Sequence, residues 1–360
     1  MIRVRLERRT ETPVWMQIAL PIGAVVLALL ICSLLVAMAG APVLEAYSFL
    51  FLSTFQTLYD VQDTLVKASP LIWTGLAVAV AFRAKFWNIG AEGQLIAGAM
   101  AAAFIGQREF LPEWTLIPAM LLGAMAAGAL WALIPALLKV RLKVDDVVTT
   151  LLANSIMLYG LMALLEGPWK DPVSNYPNSP VIREAAQFPI LAGDTLHMGV
   201  AVSIIAVIIV WWLMERTTTG FAIKVVGANP QAAAYAGFSV GGVMLTAAAI
   251  SGALAGLAGA GEVGGIRYQV VSDVSSGYGY AGIVIATLAD LKPLGVIPAA
   301  LFFAIIMNGA DAMSRETGVP VYLADVIQGV ALLTMVAGRL FTLYRLRITR
   351  PGSTVEVAHG

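Results

Sequence analysis

The chain is expected to fold as an all-α, polytopic transmembrane helical bundle of about ten spans, with both termini in the cytoplasm. Three observations lead there. Of its 360 residues, 59% are hydrophobic and only 12% are charged, with a mean hydropathy of +0.84; a soluble domain carries about a quarter charged residues. Apolar runs long enough to cross about 30 Å of hydrocarbon recur along the chain. The cations also sort by side: with the N-terminus inside, sixteen of the 22 Lys and Arg fall in cytoplasmic segments and six fall outside. That asymmetry is the positive-inside rule, and it favours an even number of crossings.

Residues 1–15 form a basic cytoplasmic segment in which Arg3, Arg5, Arg8 and Arg9 hold the N-terminus inside. The apolar run that follows, 16–39, is longer than the core of a signal peptide and is expected as a retained first helix. Further spans are expected at 66–82, 89–106, 115–138, 147–166, 197–214, 241–262, 280–290, 294–311 and 321–338, ahead of a cytoplasmic tail, 341–360. The span at 280–290 is too short to cross alone, so it is expected to be broken or to merge with a neighbour. Two loops are long. The proline-rich outer loop, 167–196, is expected to cap the surface without a core of its own, and the inner loop, 215–240, carries a short helix.

Several function classes find no support. The net charge is zero, which leaves no electrostatic footprint for nucleic acid. Cys32 is the single cysteine and lies in an apolar run, where a buried hydrophobe is expected. His197 and His359 stand apart from each other and from the cysteine, so neither a metal site nor a nucleophile–base pair is expected. No Walker-type phosphate loop is present, so any ATP hydrolysis belongs to another chain.

Polar groups inside the apolar pattern mark the segments that carry mechanism. In FRAKFWNIGAEGQLIAGAM (82–100), Asn88 is expected to cap a helix starting at Ile89, with Glu92 one turn on along the same face. A carboxylate in the bilayer is costly unless it faces protein or water. Glu92 is therefore expected to face the bundle interior, toward Arg83 or Lys85, where it either locks the packing or touches a solute. In KVDDVVTTLLANSIML, Asp145 or Asp146 caps the fifth span, and Thr150 and Asn154 share one face. That face either hydrogen-bonds to another helix or lines a path. Asn88, Glu92, Gln94, Thr150 and Asn154 are thus the candidate translocation-path residues.

The seventh span carries Gly252, Gly256, Ala260 and Gly264 at four-residue spacing, a thin stripe suited to close helix approach. Near its outer end Glu262, Arg267 and Asp273 cluster in an irregular stretch suited to an outer gate, a docking surface or a plain loop. In the inner loop, VGANPQAAAYAGF (226–238) reads as a free-standing helix from Gln231 to Ala236. Asn229 is its N-cap, Pro230 its first position and Gly237 its stop, and Tyr235 lies on it. It is either a linker on the membrane face or a coupling helix that docks on an ATPase.

FRAKFWNIGAEGQLIAGAMAAAF (82–104), DDVVTTLLAN (145–154) and VGANPQAAAYAGF together resemble the inner-membrane permease subunits of bacterial ABC importers for nucleosides and simple sugars, which are related to ribose and branched-chain amino acid permeases. The resemblance covers about 15–340. The core Asn88–Gln94 looks like the nucleoside branch, since ribose-type permeases have a Gly-Gly-Ile-Asp-Leu pattern there. One departure is Ala289, Asp290, Leu291 and Lys292, where the family has a more apolar run with an arginine before a proline-glycine turn.

The resemblance implies a pore of two permease subunits, the second a different chain or a copy of this one. It implies cytoplasmic ATPases that bind ATP and Mg and grip the coupling helices, with no cofactor in this chain. It implies an extracytoplasmic solute-binding protein, a bacterial inner-membrane location, and a nucleoside cargo with a simple sugar as the alternative. A stand-alone secondary transporter or channel would carry paired ionisable groups at mid-membrane, and few accompany Glu92. An intramembrane enzyme has no catalytic set to draw on.

Overall fold

The computed structural model describes residues 3–8, 14–320 and 344–349, with scattered helical positions between 322 and 338. In chain order the elements are β1 (Arg3–Arg8), α1 (Val14–Met38), α2 (Val43–Leu52), α3 (Leu58–Arg83), α4 (Ala91–Gly106), α5 (Glu113–Leu137), α6 (Asp146–Glu166), β2 (Ile190–Ala192), β3 (Leu196–His197), α7 (Met198–Arg216), α8 (Thr218–Ala228), α9 (Pro230–Tyr235), α10 (Val240–Glu262), α11 (Tyr278–Leu288), α12 (Pro293–Thr317) and β4 (Tyr344–Thr349). They fall into two compact units, 1–52 with 309–360, and 53–308.

In the first unit, Cys32 and Val36 of α1 pack with Ala46 of α2 and with Met313, Val319 and Ile327. The buried, apolar setting of Cys32 is the one its sequence context implies. Tyr47 donates a hydrogen bond to the Leu29 carbonyl at 2.5 Å, tying α2 to α1. The tails form an antiparallel ribbon, β1 with β4, in which Arg3 pairs with Thr349 and Arg8 with Tyr344. Nothing in the sequence pattern announced that pairing. As an element, the expected tenth span at 321–338 lies outside the described residues, as do residues 9–13 and 350–360 of the tails.

The second unit is a helical bundle centred on α10. Among the described residues, six helices are long and apolar enough to cross a membrane: Leu58–Arg83, Glu113–Leu142, Asp146–Glu166, Met198–Arg216, Val240–Arg267 and Pro293–Thr317. The chain is thus an all-α, multi-pass membrane protein. Its helices meet through glycine. A Cβ on Gly98 would strike the Gly256 carbonyl, one on Gly128 the Gly252 carbonyl, and one on Gly256 the Ala124 carbonyl. So α4, α5 and α10 touch backbone to backbone, as small residues allow where no hydrophobic effect drives association. Gly252 and Gly256 do face α5, and Ala260 is buried in the core beside Ala124 and Met120. Gly264 instead lies outside α10, in a π turn, and packs on Phe188.

Several boundaries move. Helix α3 begins at Leu58 rather than 66, because Thr57 and Asp60 form a capping box. Helices α2 and α8 were not anticipated. The outer segment is anchored in the transmembrane cluster, where Ile182 and Ala186 are buried. Ile182 N donates to the Tyr268 carbonyl and Phe188 N to the Gly264 carbonyl, and β2 and β3 close a small hairpin. The loop is held by these backbone bonds, which composition cannot reveal.

Two of the helices too short to span lie in the interior of the bundle. Helix α4 has 16 residues and α11 has 11, about 24 and 16 Å at 1.5 Å per residue. Each is preceded by non-helical chain that is nonetheless buried: Phe86 and Asn88 before α4, Val270 and Val274 before α11. Irregular backbone at membrane depth is tolerated only inside protein or along a cavity. The expectation of a broken eighth span is met by α11.

Candidate functional site

The chain from Trp87 to Gly90 enters the bundle with no helical ladder, so its amides must find partners elsewhere. The first turns of α6 supply them. Trp87 N donates to Asp146 Oδ2 at 2.6 Å, Ile89 N to Thr150 Oγ1 at 3.2 Å, and Gly93 N to Asn154 Oδ1 at 2.9 Å. Asn154 Nδ2 returns a bond to the Ile89 carbonyl at 2.9 Å. Asp146, Thr150 and Asn154 stand four residues apart, hence on one helical face, and all three are buried. This face is a clamp on the segment that opens α4. Lys139 completes it with an ion pair to Asp146 at 2.5 Å. Asp145 is the cap of α6, accepting from Val148 N.

Asn88 does not cap a helix at Ile89. The helix begins at Ala91 with Gly90 as its N-cap and no side-chain cap. Asn88 is instead fully buried. Its Nδ2 donates to Gln94 Oε1 at 3.0 Å and to Ser251 Oγ at 2.9 Å, while Oδ1 accepts from Gly90 N and Gln94 Nε2, both at 2.9 Å. Every donor and acceptor of the amide is used, which is what makes a buried polar group tolerable.

Glu92 faces inward as expected and is 7% exposed. Its partner is neither Arg83 nor Lys85: Arg83 pairs with Glu215 at 3.4 Å, and Lys85 donates to the Ala228 carbonyl at 3.2 Å. The carboxylate meets the N-terminal turn of α11 instead. Oε1 accepts from Ser275 Oγ at 2.5 Å and Gly277 N at 3.2 Å, and Oε2 accepts from Gly279 N at 2.7 Å. The first N–H groups of a helix have no intrahelical acceptor and carry a partial positive charge. One side chain therefore caps a half-helix that has none of its own, and joins the starts of α4 and α11. Gly279 must lack a side chain, since a Cβ there would strike the Glu92 backbone. Asn154 Nδ2 also reaches Tyr280 Oη at 3.3 Å.

Glu262 and Arg267 pair at 3.7 Å across the π turn Val263–Arg267. Arg267 Nη2 donates to Ser276 Oγ, which bonds in turn to Asp273. The three charges grouped by the sequence do converge, through Ser276.

At the opposite end of α10, Asn229 Oδ1 accepts from Gln231 N and Ala232 N at 3.0 and 3.1 Å. Pro230 opens α9, and Gly237 turns with φ +86°. The helix runs Pro230–Tyr235, one residue earlier than expected. It is not free-standing: α8 precedes it, Ala233 is buried, and Tyr235 is 94% exposed. The turn after α3 sits on the end of α8, where a Cβ on Gly227 would strike the Arg83 carbonyl. Sequence reasoning missed Ser251, Ser275, Gly277, Gly279 and Tyr280, because each acts on a partner far away in the chain.

The site thus lies in a membrane-spanning helical bundle with two interior half-helices joined by a buried carboxylate. Residues 61–336 match the family described as the branched-chain amino acid transport system permease component, and the chain belongs to that family. Three relatives are similar over most of their length. The glucose ABC transporter permease protein TsgB13 of Haloferax volcanii is 33% identical over 96% of this chain and 94% of its own. The guanosine ABC transporter permease protein NupP of Bacillus subtilis is 35% identical over 87% and 91%. The nucleoside ABC transporter permease protein NupB of Lactococcus lactis subsp. cremoris is 30% identical over 86% and 88%. The chain is the membrane-spanning subunit of an ABC importer; its relatives are permease subunits rather than enzymes.

Proposed function

We propose that the chain, with a second permease subunit, forms a pore that carries nucleosides across the bacterial inner membrane into the cytoplasm. A separate ATPase binds ATP and Mg and supplies the drive, and an extracytoplasmic solute-binding protein delivers the cargo. The observation that carries this reading is the continuity from α9 to the buried site. Helix α9 exposes Tyr235 beside a well-formed cap, a surface suited to docking. Helix α8 ends on Arg83 and Lys85. Those residues lead into the segment clamped by α6, which opens α4 at Glu92, which holds α11. Displacement of α9 by an ATPase therefore reaches both half-helices through rigid, hydrogen-bonded contacts. Asn88, Gln94, Thr150 and Asn154 keep the moving segment intact while it shifts.

An even count of ten spans with both termini cytoplasmic is part of the proposal. The pairing of β1 with β4 supports it, since paired tails lie on one side of the membrane. Nucleoside cargo is supported by the relatives named for guanosine and nucleosides. A sugar is the second reading, favoured by the glucose-named relative that matches 96% of the chain. Uptake competition in membranes holding the full complex tests the choice, with purine and pyrimidine nucleosides, ribose and glucose as competitors. Suppression by nucleosides is expected. Suppression by sugars alone selects the second reading, and suppression by none of them overturns both.

A further inference from the structure

The two tails meet in the antiparallel ribbon of β1 and β4, and the pairing sorts their chemistry. Its twelve residues hold five arginines and one glutamate. Residues alternate between the two faces along a strand, and directly opposed residues share a face. Arg5 stands opposite Arg347 and Glu7 opposite Arg345, so one face carries Arg3, Arg5, Glu7, Arg345, Arg347 and Thr349. The other carries Val4, Leu6, Leu346 and Ile348, with Arg8 and Tyr344 paired at its end. The strands thus alternate in phase, although they come from opposite ends of the chain.

Each face calls for a partner. A two-stranded ribbon is marginal in water unless its apolar face is covered. Within their own unit, among the described elements, β1 and β4 make extended contact only with each other. On the polar face Glu7 is placed against Arg345, but Arg5 directly opposes Arg347, and like charges so placed destabilise a ribbon. An anionic partner removes that cost.

The chain limits where the partner lies. Six residue steps separate Arg8 from Val14, the start of α1, a reach of at most about 20 Å. Helix α1 has 25 residues, about 37 Å at 1.5 Å per residue, enough to cross the hydrocarbon. The ribbon is tethered at the mouth of this span, beside a leaflet whose anionic lipids attract nearby arginines. The headgroup layer is about 5–8 Å thick on each side. A ribbon with its apolar face at the acyl boundary therefore holds its other face level with the phosphates.

We propose that the β1–β4 ribbon lies in the headgroup layer of the cytoplasmic leaflet and binds anionic phospholipid through Arg3, Arg5, Arg345 and Arg347. Guanidinium forks match phosphate oxygens in bidentate geometry, and Val4, Leu6, Leu346 and Ile348 supply the side that meets acyl chains. The cytoplasmic placement rests on the topology proposed above; the lipid site goes beyond it.

The test uses the assembled transporter, with Cys32 replaced by serine, in vesicles of phosphatidylcholine and phosphatidylglycerol. In Val4→Cys with Ile348→Cys, oxidation should join the two positions, which the register places opposite each other; failure to cross-link overturns the ribbon and the proposal with it. In Val4→Cys alone, a thiol-bound fluorophore should be quenched about fivefold more strongly per mole by brominated phosphatidylglycerol than by brominated phosphatidylcholine, the preference that one arginine supplies near a charged leaflet. Arg5→Gln with Arg347→Gln should bring the two lipids toward parity. Equal quenching by both lipids before that change overturns the anionic site, and an undiminished preference after it overturns the assignment to these arginines. Quenching by neither lipid, the result if a protein surface such as the ATPase covers the ribbon, overturns the seat in the membrane. Brominated lipid occupies both leaflets, so a wrong sidedness leaves these results unchanged and shows only as protease cleavage of terminal tags from outside, which keeps the two failures apart.

Discussion

Glu92 works through three donors, and its effect on stability follows from them. In Glu92→Gln, one oxygen becomes an NH2 aimed at backbone N–H groups, so at least one donor of α11 loses its acceptor. Losing a buried hydrogen bond to a charged group costs about 2 kcal/mol, and thermal unfolding of the purified complex should show it, along with reduced uptake. An unchanged melting temperature would mean the carboxylate's charge is dispensable. Gly279→Ala should do similar damage by a different route, since its Cβ collides with the Glu92 backbone. That Glu92 must face inward was legible from the cost of a charge in the bilayer. Its partner was not: Ser275 lies 183 positions away and the other donors are backbone N–H groups, which carry no sequence signature. Asn88 misled for the related reason that an asparagine before an apolar run reads as a cap. Here Asn88 is taken by Gln94 and Ser251.

Among the elements, α10 and α9 carry the clearest consequences. Gly256→Val would drive a branched side chain into the Ala124 carbonyl and the Gly128 backbone. Overpacking of this kind costs about 1–3 kcal/mol or more, so monodisperse yield in detergent should fall sharply, and a normal yield would refute the close approach. Gly237→Val forces a β-branched residue to φ +86°, at about 1–2 kcal/mol. It should abolish co-purification with the ATPase while leaving membrane insertion intact, as should deletion of 229–236. Retained co-purification would show that α9 is not the docking element. The caps of α9 could be read in advance because Asn229, Pro230 and Gly237 act on neighbours within a few residues. Helix α8 and the hold of Arg83 on Gly227 could not, because that contact joins segments far apart in the chain.

For the whole molecule, composition and cation asymmetry were enough to read an all-α membrane bundle, because hydrocarbon imposes that pattern on every span. They could not separate full spans from half-helices. Chain 84–90 and chain 263–277 look like ordinary loops until their burial is seen. The paired tails predict that tags at either terminus survive protease added outside intact cells; cleavage of one alone would refute the even span count. The central claim is that this chain moves solute only when ATP acts through α9. Its most direct test is nucleoside uptake into proteoliposomes holding the chain with its partner permease, ATPase and solute-binding protein. The account predicts uptake that needs ATP on the ATPase side and vanishes with residues 229–236 deleted. Equal uptake without ATP, or with those residues deleted, would contradict it.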